Sequence, residues 1–357
     1  MTKNPLPKPR KPTPPTPPCS GSSSDGTAVP KPYKLISFPK EPPTRKPPAG
    51  HHKYYNDRLH GTLYLTLTVQ TSLHVSTGVV VMGSDINSRV PLIKTMVQGV
   101  DQKLSIQGSS LKGCIRSVYE AITRSCICKT KADRNEIPEG YWECKIDRKK
   151  NKVSVCAACQ VFGAMDWQGL INFSDAKCES VGYSTGFMPS LYAPRPQREG
   201  YYIGNKVAGR KFYYHTTRAI DKGQTQGIPV QQAAKEFTFT TQLHYRNLTQ
   251  AELGTLLIVL GQDPKYRIAL KVGGGKPIGM GTMTVTVKEI EQAQNLRDRY
   301  SSYQSQPNRL TGNQLQAVMQ TAIKAAHSQL LVQSPQLQEL AAVLKYPTDR
   351  EPVEGMY

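Results

Sequence analysis

With 46 Lys plus Arg against 26 Asp plus Glu in 357 residues, the chain carries a formal charge of +20 and can bury a sizeable core. No apolar run reaches the roughly 18–20 residues of a membrane-spanning helix and no apolar leader of secretory type is present, so a helical membrane protein is excluded and a cytosolic chain is expected. The charge points to a polyanionic partner, because each Lys or Arg that neutralises a phosphate releases condensed counterions.

Residues 1–50 hold fifteen of the 27 prolines and a net charge of +7, leaving +13 on the rest. They contain too little apolar surface to fold alone and read as a basic, largely disordered arm. Within it, Tyr33, Leu35, Ile36 and Phe38 form the stretch able to dock on a neighbouring surface. The globular part opens with a strand at 61–69, where Leu63, Leu65, Leu67 and Val69 alternate with Tyr and Thr. A loop of about 30 residues follows, long for a small core and so expected to be functional or separately stabilised. Gly108 then opens a helix that Ser109 or Ser110 can cap, with Leu111, Ile115, Val118 and Ile122 as its buried stripe. A cysteine-rich insertion spans about 124–160, a strand 170–173 and a basic, aromatic segment about 187–218. A strand at 237–243, a helix from 247 to about 260 and a strand at 281–287 repeat the plan. Two strand–helix–strand units predict an α+β protein with a ferredoxin-like (RRM-like) βαββαβ core over 51–291, carrying long insertions. Residues 292–357, with Leu315, Val318, Ile323 and Leu330, read as a helical C-terminal appendage.

Four motifs carry chemistry. In the first, Lys271, Gly273, Gly274, Gly275 and Lys276 precede the strand at 281–287; glycines let backbone N–H groups approach phosphate oxygens, and the lysines add fixed charge. It is not a P-loop, because no Lys-Ser/Thr pair follows and a strand comes next. In the second, Ser109 and Ser110 at a helix N-terminus form an anion site, with Lys112 and Arg116 one turn apart on the same track. The third is a cysteine cluster: five of the eight cysteines lie between Cys126 and Cys159, which in a cytosolic chain indicates metal before disulfide. Cys156 and Cys159 have the spacing for one tetrahedral, structural Zn2+, with Cys128 and Cys144 as preferred partners and Cys126 as the substitute for Cys128. The fourth runs from Arg195 to Arg210, Lys211 and the aromatic residues Phe212, Tyr213 and Tyr214, a composition suited to single-stranded RNA or equally to a hairpin burying its rings.

Taken together these segments resemble the RAMP (repeat-associated mysterious protein) superfamily, the backbone subunits of type III CRISPR effectors. The resemblance runs in order through His74-Val75-Ser76-Thr77-Gly78, the segment from Gln107 to Gly113, Cys156-x-x-Cys159-Gln160-Val161-Phe162-Gly163 with Phe173-Ser174-Asp175-Ala176, and the glycine-rich stretch from Gly273 to Gly281. Residues 209–214 are similar to a stretch of the III-D-like branch. The resemblance covers about 60–290 and implies a cytoplasmic, prokaryotic antiviral ribonucleoprotein. In it such subunits line up along a guide RNA (crRNA), pair it with target RNA, contact other effector subunits, and project a thumb-like hairpin, here at about 187–230. His74 and Ser76 join the RNA-binding set on this basis.

In several members of that family an Asp after the first strand assists metal-dependent cleavage of target RNA. Asp85 is the sole carboxylate between Gly78 and Asp101, so it is the candidate residue for an Mg2+-dependent endoribonuclease, and equally a turn residue before Asn87 and Ser88. It departs from the family pattern by lying six residues before Pro91. A binding scaffold inert to target is the other reading. Processing of precursor guide RNA would need His74 or His215, and a zinc-dependent RNA binder outside defence systems is the remaining alternative.

Overall fold

The structure is a computed structural model that describes residues 31–146, 153–191, 200–220, 227–292, 301 and 308–353. Arg195 and the first thirty residues of the expected arm lie outside the described residues.

The described chain runs β1 (Tyr33–Ile36), β2 (Leu59–Val69), β3 (Ser76–Met82), β4 (Leu92–Met96), β5 (Lys103–Ile106) and helix α1 (Gly108–Ile122). Next come α2 (Ala157–Phe162), β6 (Ile171–Phe173), β7 (Ala176–Val181), β8 (Ser184–Pro189), β9 (Arg210–Tyr213), β10 (Gly227–Gln232) and β11 (Thr238–Leu248). The chain continues with α3 (Gln250–Val259), β12 (Leu270–Lys271), β13 (Thr282–Gln292), β14 (Asn308–Leu310), α4 (Gly312–Ser328) and α5 (Ser334–Leu344).

The result is a mixed α+β fold on an antiparallel sheet. Its order is β12-β13-β2-β11-β7-β5, with β6 also on β11 and β14 on β13. The period-2 pattern of β2 decides its faces: Leu63, Leu65, Leu67 and Val69 are buried beneath the helices, while Tyr64, Thr66 and Thr68 look outward. Each buried aliphatic side chain contributes about 1.5–3 kcal/mol, so this one strand face anchors the layer. Helix α1 packs Leu111, Ile115, Val118 and Ile122 onto the same core, as its spacing requires.

Helix α3 is buried from Ala251 to Val259, with no polar face beyond its first turn, because it is sandwiched between the sheet and α4. Its start is fixed by a capping box in which Glu252 N–H donates to Thr249 Oγ1 and Thr249 N–H to the Glu252 carboxylate. The absence of a side chain at Gly254 lets α4 approach: a methyl there would sit 1.8 Å from Ala322 O. Leu315, Met319, Ala322, Ile323 and Ala326 of α4 therefore belong to the main core. The C-terminal helices expected as an appendage are a layer of the fold.

The N-terminal segment differs from expectation in the same way. From residue 31 onward it is built in: β1 pairs antiparallel with β9, Tyr33 opposite Tyr213 and Ile36 opposite Arg210, and Ile36 is fully buried. The long loop after β2 also has structure of its own, since β3 and β4 join β10 and β8 in a second, four-stranded sheet ordered β8-β10-β4-β3. A small core of Met188, Ile220, Val230, Ile278 and Met280 lies between this sheet and the glycine-rich loop.

Candidate functional site

The glycine-rich loop between β12 and β13 follows from its glycines. Gly273, Gly275, Gly279 and Gly281 all have positive φ, and Lys276–Ile278 form a single 3-10 turn. The loop is sewn to the chain after β2: Gly274 N–H donates to His74 O at 2.8 Å and Gly281 N–H to Ser72 O at 2.9 Å. It also borders α1, where the Cys114 thiol donates to Lys271 O at 3.4 Å and feels the charge of Lys276. The segment at 74–78, the glycine loop and the flank of α1 that carries Cys114 thus share one side of the molecule.

Lys276 is half-exposed, and among the described residues no hydrogen bond or ion pair holds it. Lys94 of β4, a cation the sequence reading missed, is close enough to lower the pKa of His74. Its signal was faint, a lone Lys in a short strand. Ser76 is exposed, and its hydroxyl accepts from Gly78 N–H at 3.0 Å.

Several expected phosphate contacts are turned inward instead. Lys271 is only 6% exposed and its Nζ donates to Gly279 O and Thr282 Oγ1, so it braces the loop from below. Burial, with Lys276 nearby, pushes its pKa down to about 7. His74 is 1% exposed and donates from Nδ1 to Gln231 O at 2.6 Å, because a carbonyl can only accept. Its Nε2 is then an acceptor, buried without a partner, and burial holds the ring neutral. His215 is equally buried, bonded to Thr282 Oγ1 and Ala269 O, with its pKa pushed down to about 3 by burial. Neither histidine is presented at the surface for acid–base work.

The start of α1 also differs from expectation. Neither Ser109 nor Ser110 caps it; Gln107 occupies the cap position and Gly108 N–H donates to Asp175 Oδ1 at 2.8 Å. A carboxylate from 67 residues downstream already answers the helix dipole there. Ser109 is exposed and Ser110 half-buried. Lys112 leaves the helix about 200° away from Cys114 and so faces the flank opposite the glycine loop, donating to Ile171 O at 3.0 Å.

Arg116 and Arg210 turn inward. Both bind the buried Glu120, at 2.7 and 3.1 Å, because a buried carboxylate requires compensating charge. Arg210 also donates to Ser125 O and Cys126 O, and Arg116 to Gly163 O and to Cys159 Sγ at 3.2 Å. The Lys211 ammonium donates to Tyr201 OH and sits over the rings of Tyr33, Tyr201 and Tyr213, at 3.9 Å from the first.

The network around Glu120 frames a cluster of four cysteines. The sulfurs of Cys126, Cys144, Cys156 and Cys159 all lie within 4.8 Å of one another and all four residues are buried. Cys126 Sγ is 3.6 Å from both Cys156 Sγ and Cys159 Sγ, near the ~3.8 Å that four Zn–S bonds of ~2.3 Å impose on a tetrahedron. Cys156 N–H donates to Cys144 Sγ, Cys126 N–H to Cys156 Sγ and Arg116 to Cys159 Sγ, all suited to thiolates. Shared hydrogen bonds split the four: Cys126 pulls Cys144 far down and Cys156 to about 6, while bonds to Cys144 and Cys126 push Cys126 and Cys159 up. Such a set could hold a zinc ion. Cys126, not the preferred Cys128, completes it. Ser125 Oγ accepts from Ala158 N–H at 3.0 Å, holding Cys126 against the α2 turn, whereas Ile127 N–H turns to Tyr141 O and carries Cys128 away.

Asp85 sits on a 3-10 turn, Gly83–Ile86, in the connection between β3 and β4. It is exposed, and among the described residues its carboxylate has one contact, at 3.5 Å from Ser84 Oγ.

A family model described as the RAMP superfamily matches residues 66–284. No curated protein matches the chain. Among solved structures, one described as the cryo-EM structure of the type III-B Cmr-beta bound to cognate target RNA aligns at 14% identity and a TM-score of 0.33. That alignment covers 66% of this chain and 61% of the other, so the chain spans less than two thirds of the protein it is compared with.

Proposed function

Because the chain belongs to the RAMP superfamily, we propose that it is an RNA-binding backbone subunit of a type III CRISPR effector, gripping guide RNA by its phosphates and presenting it to target RNA. The observation that carries this reading is the bond from Gly274 to His74: it places a glycine turn and the unpaired Lys276 beside the segment containing Ser76, next to Lys94. That is a compact, basic, side-chain-poor surface that favours a sugar-phosphate backbone over base edges, leaving sequence to be read by pairing. The neighbours of Gly209–Tyr214 support placement in the III-D-like branch only through the sequence resemblance.

The finer architecture is consistent with this reading. The path β2-α1-β6-β11-α3-β13, with strands in the order β13-β2-β11-β6, supports a ferredoxin-like core. The antiparallel pair of β8 and β10 supports a thumb rooted at its two ends. The four cysteines would hold Zn2+ as a closed structural site, leaving no open position for chemistry.

A second reading, target-RNA cleavage, is favoured by the exposure of Asp85. Asp85 would share the binding of a divalent cation with groups from RNA or from a neighbouring subunit, a cation that stabilises charge on the scissile phosphate.

The test is native purification of the full-length protein with its partner subunits, followed by nuclease digestion of the nucleic acid retained. Short RNA removed by ribonuclease and not by deoxyribonuclease is expected. Protein that emerges free of nucleic acid and does not retain single-stranded RNA at low salt would contradict the proposal.

A further inference from the structure

On the other flank of α1 lies a half-open cavity of about 440 Å3, lined by His51, Lys112, Asn172, His244, Tyr245 and Arg246, with the 168–171 backbone as a wall. No lining residue carries a carboxylate. Lys112 and Arg246 are both half-buried, and among the described residues neither has an acidic partner. Lys112 commits one donor to Ile171 O. Arg246 offers five side-chain N–H donors; among the described residues the one hydrogen-bond contact of its guanidinium is a long one, 3.5 Å, to His51 Nδ1, and it lies over the Tyr54 ring at 4.9 Å. His51 is fixed as the matching tautomer, since its other nitrogen donates to Gly169 O at 3.1 Å.

Two cations withdrawn together from water with no counter-ion oppose folding, and an anion between them removes that opposition. A planar guanidinium and a mobile ammonium lining one cavity are the pair that phosphate oxygens accept best. The volume exceeds that of a bare phosphate and lies in the range of small-molecule sites. We propose that this cavity is a phosphate-ester site of nucleotide size, with Lys112 and Arg246 as its anion clamp and Asn172 as a further polar contact. Its phosphate comes either from a free nucleotide or from the end of a nucleic-acid strand. Gln168 of the wall pairs with Gly163, whose carbonyl accepts from the same Arg116 that donates to Cys159 Sγ, so the cavity also depends on an ordered cysteine cluster. None of this rests on the RNA-gripping role of the glycine loop.

The experiment titrates the full-length protein with 5′-AMP, with a 5′-phosphorylated tetra-adenylate, and with adenosine as the phosphate-free control. At least one phosphate probe binds about tenfold or more tightly than adenosine, and Lys112→Gln or Arg246→Gln each weakens it about tenfold, the equivalent of one charge-assisted hydrogen bond. Preference for AMP identifies a free nucleotide as the source, and preference for the tetranucleotide identifies a strand end. The wild-type protein gives a second readout that needs no variant: amine acylation followed by mass spectrometry, in which the bound probe protects Lys112. Equal affinity for adenosine and both phosphate probes, unchanged affinity in folded variants, or no protection of Lys112 would overturn the proposal.

Discussion

The N–H of Gly274 donates to the carbonyl oxygen of His74 at 2.8 Å, joining a loop near the end of the family match to a segment near its start. The same carbonyl limits the loop on its other side, since a methyl at Gly273 would stand 2.3 Å from it.

Gly273→Ala is therefore expected to destabilise the protein by roughly 1–3 kcal/mol, combining a φ of +76° with a backbone clash. Gly274→Ala, whose nearest neighbour would be Met188 Cε at 3.6 Å, is expected to cost less than about 1 kcal/mol. Urea unfolding of the two variants checks the order. Equal losses would mean that the loop does not hold this conformation in solution.

Metal analysis of cysteine variants tests the cluster. Cys126→Ser is expected to lose bound zinc and Cys128→Ser to retain it, because only Cys126 is within 4.8 Å of the other three sulfurs. Removal of the ion by chelator should raise hydrogen exchange first in α2 and the 163–168 hairpin. Retention of full zinc by Cys126→Ser would contradict the assignment.

The buried Lys271 makes stability depend on pH in an unusual window. Its folded pKa is about 7 against an ordinary 10.5, so between these values the unfolded chain binds more protons than the folded one. Stability at this site rises with pH, by at most about 1.4 kcal/mol per unit, and is flat below pH ~7. Unfolding at pH 7, 8 and 9 should show wild type gaining on Lys271→Met. Parallel curves would show that the ammonium is solvated in the folded state.

Asp85→Ala separates the two readings of function. If this chain cuts target RNA, the assembled complex with guide-matched RNA and Mg2+ loses cleavage at the positions this subunit serves and keeps its affinity. Identical cleavage patterns for wild type and Asp85→Ala would assign cutting to other residues.

The parts of the fold legible in the sequence are those governed by local periodicity. Alternation at Leu63, Leu65, Leu67 and Val69 identified β2, and the spacing of Leu111, Ile115, Val118 and Ile122 identified the buried face of α1. What escaped is set by distant partners. The cap of α1 comes from Asp175, the neighbour of Gly254 is Ala322, and β1, opening at Tyr33, pairs with β9, which ends at Tyr213, none of which leaves a local trace. The candidate site was legible in its glycines, whose positive φ is a local requirement, and in the C-x2-C pair. Individual cations were not, because a Lys or Arg reads alike whether it faces solvent or, like Arg116 and Arg210, neutralises a buried Glu120. The basic cavity around Arg246 drew on residues separated by up to 195 positions and had no sequence signature at all.

Salt dependence of single-stranded RNA binding tests the central claim most directly. For the full-length protein, Lys276→Ala should weaken affinity across all sequences and lower the magnitude of the slope of log K against log[salt] by about 0.7, one phosphate contact on a single strand. Binding by Lys276→Ala with the wild-type slope and affinity would contradict the account, because the loop that Gly274 secures to His74 would then not face the RNA.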